Sequence, residues 1–515
     1  MSSPALETGV STVVLENKGT SAVLALSKSN VARVVLLTFF VLFIHGYHPF
    51  SDDAGGIYVP GIEKMMNPHL FGPDASFILA HSRFSIFSRV FAEILTVLHI
   101  PLEVGLFVSY LFTSFAFLLG CLRLSQRIFR DVTLQWGSTL LAAALFTLPV
   151  AATALFIMDP DPTARSFSTP LSIFALVACM DRRWKQLAFW FLLTVAMHPL
   201  MAAHLACFLV IYAIVSMQRW RWLAVACTAG FVGCAIIYLV TIHTPVPDGY
   251  VQSLLMPEHG YLFLSRWHWY ERIGIVMPLL LMLLAALRTR PGSPVFNLCI
   301  TCIAVGSVAT LCSVCFVHTD GSYFLARIQL MRSLQVIYVV GVLLLGGFLA
   351  KYLGGQRAGL GALLLVLISG GMFFIQEQAY TTSAHIEWPF AAPKNPWEQA
   401  FVWIRLYTPQ NAVFAADPDY YKSDTEDDQG FRTISERSIL MDGLKDEGSV
   451  TIFPELGPEW KRGRNLELGL DHMSDEERLR KLKPVGVTWL LLGSHATTHF
   501  DCPYRNYVVF VCRLP

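Results

Sequence analysis

Apolar runs separated by short polar breaks fill the first three quarters of the chain. A membrane-crossing helix needs ~20 mostly apolar residues. Eleven runs meet or approach that length, at about 33–48, 101–122, 134–158, 169–180, 186–198, 200–218, 222–242, 273–287, 294–317, 333–351 and 359–377. The fourth and fifth are short and read either as two tilted spans or as one re-entrant pair. Beyond about 378 the pattern changes to that of a water-soluble domain. An amphipathic helix is expected at 397–406, strands at 412–416, 488–492 and 507–512, and a charged helix at 475–483. The pattern predicts an all-α polytopic membrane domain of about eleven spans, followed by a small C-terminal α/β domain.

The polar breaks also predict orientation. Arg123, Arg127 and Arg130 form one basic cluster. Arg182, Arg183 and Lys185 form a second, Arg219 and Arg221 a third, Arg288 and Arg290 a fourth, and Lys351 with Arg357 a fifth. All five fall on the cytoplasmic side if segment 1–32 is cytoplasmic, as the positive-inside rule requires. The first apolar run lacks a cleavage site and reads as a retained signal anchor. The expected domains are then the N-terminal segment 1–32, a membrane domain at 33–377 and an extracytoplasmic domain at 378–515, in the cell (inner) membrane. The outer loops are 49–100, 159–168, 243–272 and 318–332. Loop 49–100 holds two amphipathic stretches, near 57–67 and 83–99, that read as surface helices.

Composition sharpens one point and removes another. Of 515 residues, 54% are hydrophobic and 15% charged, with mean hydropathy +0.51, too apolar for an ordinary soluble domain. A formal net charge of +1 gives no electrostatic case for nucleic acid.

Candidate chemistry concentrates in the outer loops. Asp52-Asp53 is an adjacent acid pair that could act as a base or bind a cation, or could simply cap a helix. Asp159-Pro160-Asp161-Pro162-Thr163-Ala164-Arg165 offers two acids for a metal ion and an arginine for a phosphate, or a solvated turn. His198 and His204 flank a helix junction and are candidate metal ligands or ordinary helix-end residues. Arg266, Arg327 and Arg332 run against the positive-inside pattern and suit a phosphate, or snorkel to bulk headgroups. Cys299, Cys302, Cys312 and Cys315 have zinc-like spacing but sit in an apolar run, where Cys acts as a small hydrophobe. Cys502 and Cys512 share the outer domain and are expected to form a disulfide.

Several of these features together resemble the GT-C superfamily of integral-membrane glycosyltransferases. Asp52-Asp53 follows the first helix in a long outer loop. The second acidic loop, with Asp159 and Asp161, is similar to the paired acids of oligosaccharyltransferases. The tail, with Thr408-Pro409-Gln410-Asn411-Ala412-Val413-Phe414 and Phe431-Arg432…Arg437-Ser438, looks like uncharacterised bacterial members. The resemblance implies transfer of a hexosyl or pentosyl unit from a polyprenyl-phosphate donor to an acceptor glycan, lipid or protein at the outer face, among membrane lipids. Asp52 or Asp53 would deprotonate the acceptor or orient the donor. Arg165, Arg327, Arg332 and Arg266 would bind the donor phosphate. A divalent ion (Mg or Mn), if one is used, would sit on Asp159 and Asp161, with His198 and His204 as further candidates. The competing readings are a transporter or flippase for a lipid-linked molecule and a non-catalytic GT-C-like scaffold.

Overall fold

The structure, a computed structural model, describes residues 28–423, 425–443 and 445–515. Most of the expected N-terminal segment 1–32 lies outside the described residues. Among the described residues, thirteen helices of eight residues or more precede the tail: α1 Lys28–His45, α2 Val59–Met66, α3 Phe87–Leu98, α4 Leu102–Ile128, α5 Val132–Ala144, α6 Ala164–Met180, α7 Trp184–Met197, α8 Pro199–Ser216, α9 Trp220–Thr241, α10 Trp269–Leu287, α11 Pro294–Phe316, α12 Leu334–Leu353 and α13 Ala358–Ala379. Among the described residues, eight of these regions are long and apolar enough to cross a membrane: α1, α4 and α8 to α13. The expected third, fourth and fifth spans are the shorter helices α5, α6 and α7.

Two of the long helices make the case for lipid directly. α9 buries none of its residues inside the protein, and α13 buries only Ser369, Met372 and Gln376. Helices apolar all round and uncovered by protein are stable only in hydrocarbon. The chain is a multi-pass membrane protein. Inside the bundle the opposite holds. α5 packs so tightly on α12 that a Cβ on Gly137 would lie 2.4 Å from the Ala350 Cβ. Glycine is needed there because the two backbones touch, as in other membrane-helix contacts built on small residues. At one end of the bundle, Arg127 pairs with Asp181 at 2.6 Å, joining the ends of α4 and α6.

The single long helix expected at 134–158 does not form. α5 stops at Ala144, and residues 145–158 run as largely buried irregular chain, with Pro149 and Ala154 exposed, closed by a Pro149–Phe156 bridge. Pro149 has no N–H and disfavours helix at the residue before it. The freed backbone is satisfied locally, with the Val150 N–H donating to the Leu155 carbonyl at 2.8 Å. α2 also departs from expectation. Val59 to Glu63 are buried, so it is a packed element and not a helix lying exposed along a surface.

The tail folds as expected into an α/β unit. α14 (Pro396–Tyr407) is capped by Asn395, whose side chain accepts from the Trp397 N–H at 2.8 Å. The five strands, β1 Val413–Ala416, β2 Ser438–Ile439, β3 Trp489–Gly493, β4 Tyr504–Arg505 and β5 Val509–Arg513, form one sheet in the order β2-β1-β3-β5-β4. β1 pairs in parallel with β2 and β3, and β5 is antiparallel to β3 and β4. β3 is central and buried throughout, hence its unbroken apolar run. Phe401 of α14 and Phe414 of β1 are fully buried in the same core cluster and stabilise the unit by roughly 1.5–3 kcal/mol each. A short turn of helix at Phe431–Ser435 and three longer helices complete it among the described residues: α15 Asp446–Ile452, α16 Gly457–Glu467 and α17 Asp475–Leu482. Cys502 and Cys512 are bonded to one another.

Candidate functional site

The loop after α1 is held by the tail. Tyr47 forms a parallel bridge with Ile386, and Ser51 an antiparallel bridge with Gln429. The Asp52 N–H donates to the Asp428 carbonyl at 2.9 Å, and the Gly430 N–H to the Phe50 carbonyl at 2.8 Å. A Cβ on Gly430 would lie 2.5 Å from the Gly55 carbonyl, so only glycine permits this approach. Asp52 itself has φ +45°, a conformation that Asp tolerates better than most residues. The stitching presents both acids to the same region.

Asp53 does not cap the helical turn that follows it. Its carboxylate instead lies between two cations, 2.7 Å from Arg165 Nη2 and 2.9 Å from Lys445 Nζ. Burial alone would raise its pKa, but Lys445 and Arg165 override that and hold the carboxyl well below the usual range. Lys445 also pairs with Asp52. Burial would lower the amine's pKa, and the two carboxylates raise it well above the ordinary value. The Arg165 Nε donates to Asp159 Oδ2 at 2.7 Å, and the Thr163 hydroxyl donates to the same oxygen at 3.1 Å. Thr163 is the N-cap of α6, in a reciprocal capping arrangement with Ser166. The acidic loop at 159–165 is therefore no solvated turn. It fixes Arg165 against the acid pair.

The ion-pair chain Asp159–Arg165–Asp53–Lys445–Asp52 lines or adjoins a cavity of about 660 Å³ between the bundle and the tail. Asp52, Asp53, Arg165, His198, Arg327 and Arg332 all line it. The Arg327 Nη2 donates to the Ile452 carbonyl at 2.6 Å. Arg332 is 9% exposed, faces the Tyr261 ring at 5.7 Å, and has no hydrogen-bond partner for its Nε. Among the described residues no carboxylate pairs with it. A buried unpaired guanidinium facing a cavity is an anion site in waiting. The rest of the lining mixes aliphatic residues and the carboxylates of Glu258 and Glu447 with aromatic rings. Phe84 stacks on Phe453 with ring centroids 5.4 Å apart, and Phe324 lies in the same lining.

Four expected residues stand elsewhere. Arg266 is at the surface, where its guanidinium donates to the Leu255 and Met256 carbonyls at 3.1 and 3.4 Å and tidies a turn. Asp161 is buried but does not line the cavity. Asp159 reaches the site only through Arg165. His204 borders a separate small gap beside Arg332. His198 does line the cavity, and it also caps α8, accepting from the Met201 N–H at 3.4 Å. The donor set expected for a divalent ion does not assemble. Among the described residues no three His, Cys, Asp or Glu side chains converge as metal ligands, and Asp159 Oδ2 already serves Arg165.

Sequence reasoning missed Lys445 and what holds it. Lys445 precedes α15, whose Asp446 takes both Nη groups of Arg432 at 2.6 and 2.8 Å. The Arg432 Nε donates to Asp74, in the loop after α2, at 2.5 Å. Arg432 is 1% exposed. No local pattern announces this clamp, because its partners lie hundreds of residues apart. A buried arginine in a soluble tail, in need of carboxylates, is the one available signal.

No family model matches the chain, and no curated protein matches it. Among solved structures it is similar to the cryo-EM structure of arabinofuranosyltransferase AftD from Mycobacteria, with 13% identity and a TM-score of 0.46. The match covers 92% of this chain and 36% of that one, so the chain spans about a third of that protein's length. The functional reading rests on the site alone.

Proposed function

We propose that the protein is a membrane glycosyltransferase that moves a sugar from a polyprenyl-phosphate donor to an acceptor hydroxyl, in a cavity at the extracytoplasmic face. The observation that carries this reading is the pairing, in one cavity, of an accessible carboxylate with an unpartnered buried guanidinium, Asp52 with Arg332. Glycosyl transfer from a phospholipid needs both a base for the acceptor and positive charge for the departing phosphate.

The roles divide by environment. The Asp52 side chain is 44% exposed, against 19% for Asp53. Asp52 is the base. Asp53, fixed between Lys445 and Arg165, is a positioning residue. Arg332, Arg327 and Arg165 receive the donor phosphate, and the aromatic wall around Phe84 and Phe324 takes the first units of the polyprenyl chain. The step itself is a simple exchange. The acceptor oxygen bonds to the anomeric carbon and gives its proton to Asp52. The carbon–oxygen bond to phosphate breaks, and its electron pair leaves with the phosphate. No step is assigned to a metal ion. Acids gathered at the cavity, with none of them aligned along a path through the bundle, favour this reading over a transporter.

The test is turnover. Full-length protein in nanodiscs is offered undecaprenyl-phosphate hexoses and pentoses with a mixed glycan acceptor pool, and liberated undecaprenyl phosphate is measured. The reading requires release that depends on acceptor and falls in Asp52→Asn. Release from no donor, or unchanged release in that variant, rejects it.

A further inference from the structure

Among the described residues, Lys445 is the one cation lining the cavity that the tail supplies, and its situation differs from that of Arg165. Arg165 is locked from two sides by carboxylates of two loops, at 2.7 Å each. Lys445 is tethered only through its head, to Asp52 and Asp53. Its backbone is fixed beside the Arg432–Asp446 pair, while its side chain is a four-carbon stem with a rotatable ammonium. It can therefore swing without disturbing the fold. Arg332, across the same cavity, has no carboxylate among the described residues.

The charge on the donor changes during transfer. A polyprenyl-phosphate sugar is a phosphodiester with one negative charge. Once the bond to the sugar breaks, the leaving phosphomonoester carries up to two. Arg332, with Arg327 and Arg165, meets the first charge on binding, and Lys445 is the further cation in the same lining as the next charge develops. The acid pair imposes a complementary demand, since a carboxylate paired with an ammonium is a poorer base for the acceptor's proton.

Resting on the glycosyl-transfer reading above, we propose that Lys445 serves two partners in turn: it covers Asp52 and Asp53 while the cavity is empty, and moves to the donor phosphate when the cavity is filled, uncovering Asp52 as the base. Donor binding thereby precedes activation of the acceptor. The proton passes from the acceptor to Asp52, the phosphate takes the electron pair of the broken bond, and Lys445 balances the charge so created. The tail is then part of the reaction site and not an appendage.

The test is a double-mutant cycle read by binding of undecaprenyl phosphate, without sugar, to the full-length protein in phosphatidylcholine nanodiscs. Lys445→Met removes the charge and keeps the stem. It should weaken binding by about 10-fold or more, the usual effect of losing a charge-assisted contact, and Lys445→Arg should restore most of it. Asp52→Asn should tighten binding by about 5-fold, because it frees Lys445, and that gain should vanish in the Lys445→Met background. A residue with only a structural role produces no such coupling. Melting temperatures within a few degrees of the unsubstituted protein exclude misfolding as the cause. Binding that Lys445→Met leaves unchanged while Arg332→Met weakens it overturns the inference alone. An Asp52→Asn effect that persists without Lys445 also overturns it. Failure of the unsubstituted protein to bind undecaprenyl phosphate at all overturns the glycosyl-transfer reading along with it.

Discussion

The two acidic loops look alike in sequence, each with two aspartates at a helix start, yet the structure puts them to opposite uses. In the first, Asp52 is half exposed to the cavity and shares the swinging Lys445, while Asp53 is enclosed between Lys445 and Arg165. In the second, both acids are buried, and Asp159 is committed to Arg165 and Thr163. An acid beside a fixed cation is scaffold, while an acid beside empty space is a reagent. What decides between them is the partner on the opposite wall, and that partner comes from a distant part of the chain.

Three substitutions test this contrast. The largest effect is expected for Asp159→Asn. It leaves the buried Arg165 with half of its counter-charge, and breaking a buried pair costs about 3–5 kcal/mol. Thermal unfolding in detergent should show a drop of several degrees, and a melting temperature equal to that of the unsubstituted protein would mean that Asp159 is not structural. Next comes Asp52→Asn, which should lower turnover by about 100-fold, the usual cost of a general base, with no loss of stability. If Asp52→Asn unfolds the protein and Asp159→Asn does not, the two loops have been assigned the wrong way round.

The smallest effect is expected for Asp161→Asn. Burial, with Asp52, Asp159 and Asp53 nearby, raises the Asp161 pKa well above its ordinary value. The unfolded chain then releases this proton at a lower pH than the native protein does. Between the two pKa values the native state binds more protons, so stability falls as pH rises. Asn does not titrate and escapes that loss. The variant should match the unsubstituted protein near pH 4 and equal or exceed its melting temperature at pH 7. A variant that is less stable at pH 7 would show that Asp161 is ionised and held by a cation.

Membrane segments and tail strands were legible because their periodicities are local. The apolar runs became α1, α4 and α8 to α13, and the runs 412–416 and 488–492 fell on β1 and β3. The error at 134–158 came from weighing apolar composition above Pro149, whose steric rule was in plain view. The site was legible only in part. Asp52, Asp53, Arg165, Arg327 and Arg332 stood out as charges in the loops of an apolar chain, and His198 stood out by its place at a helix junction. Arg266 drew notice by the same logic, but its guanidinium turns back onto local carbonyls. Lys445 and Arg432 sit in an ordinary charged stretch of tail. What distinguishes them is pairing over hundreds of residues, and one sequence does not encode that pairing in any readable period.

The Arg432 clamp has a consequence for how the protein comes into being. The loop bearing Asp52 is stitched to residues 428–430, and its acids await Lys445, synthesised roughly 400 residues later. At about 5–20 residues per second, that is an interval of roughly 20–80 seconds on the ribosome. Throughout it the loop lacks its partners from the tail, though Arg165 is already there to meet Asp53, while the helices of the bundle can already insert and pack. Assembly of the cavity is thus the last event of biogenesis, and a chain cut short before Arg432 yields an inserted bundle with no working centre. A nascent-chain series arrested before and after residue 446, probed by proteolysis of loop 46–58, would show protection arriving in a single late step.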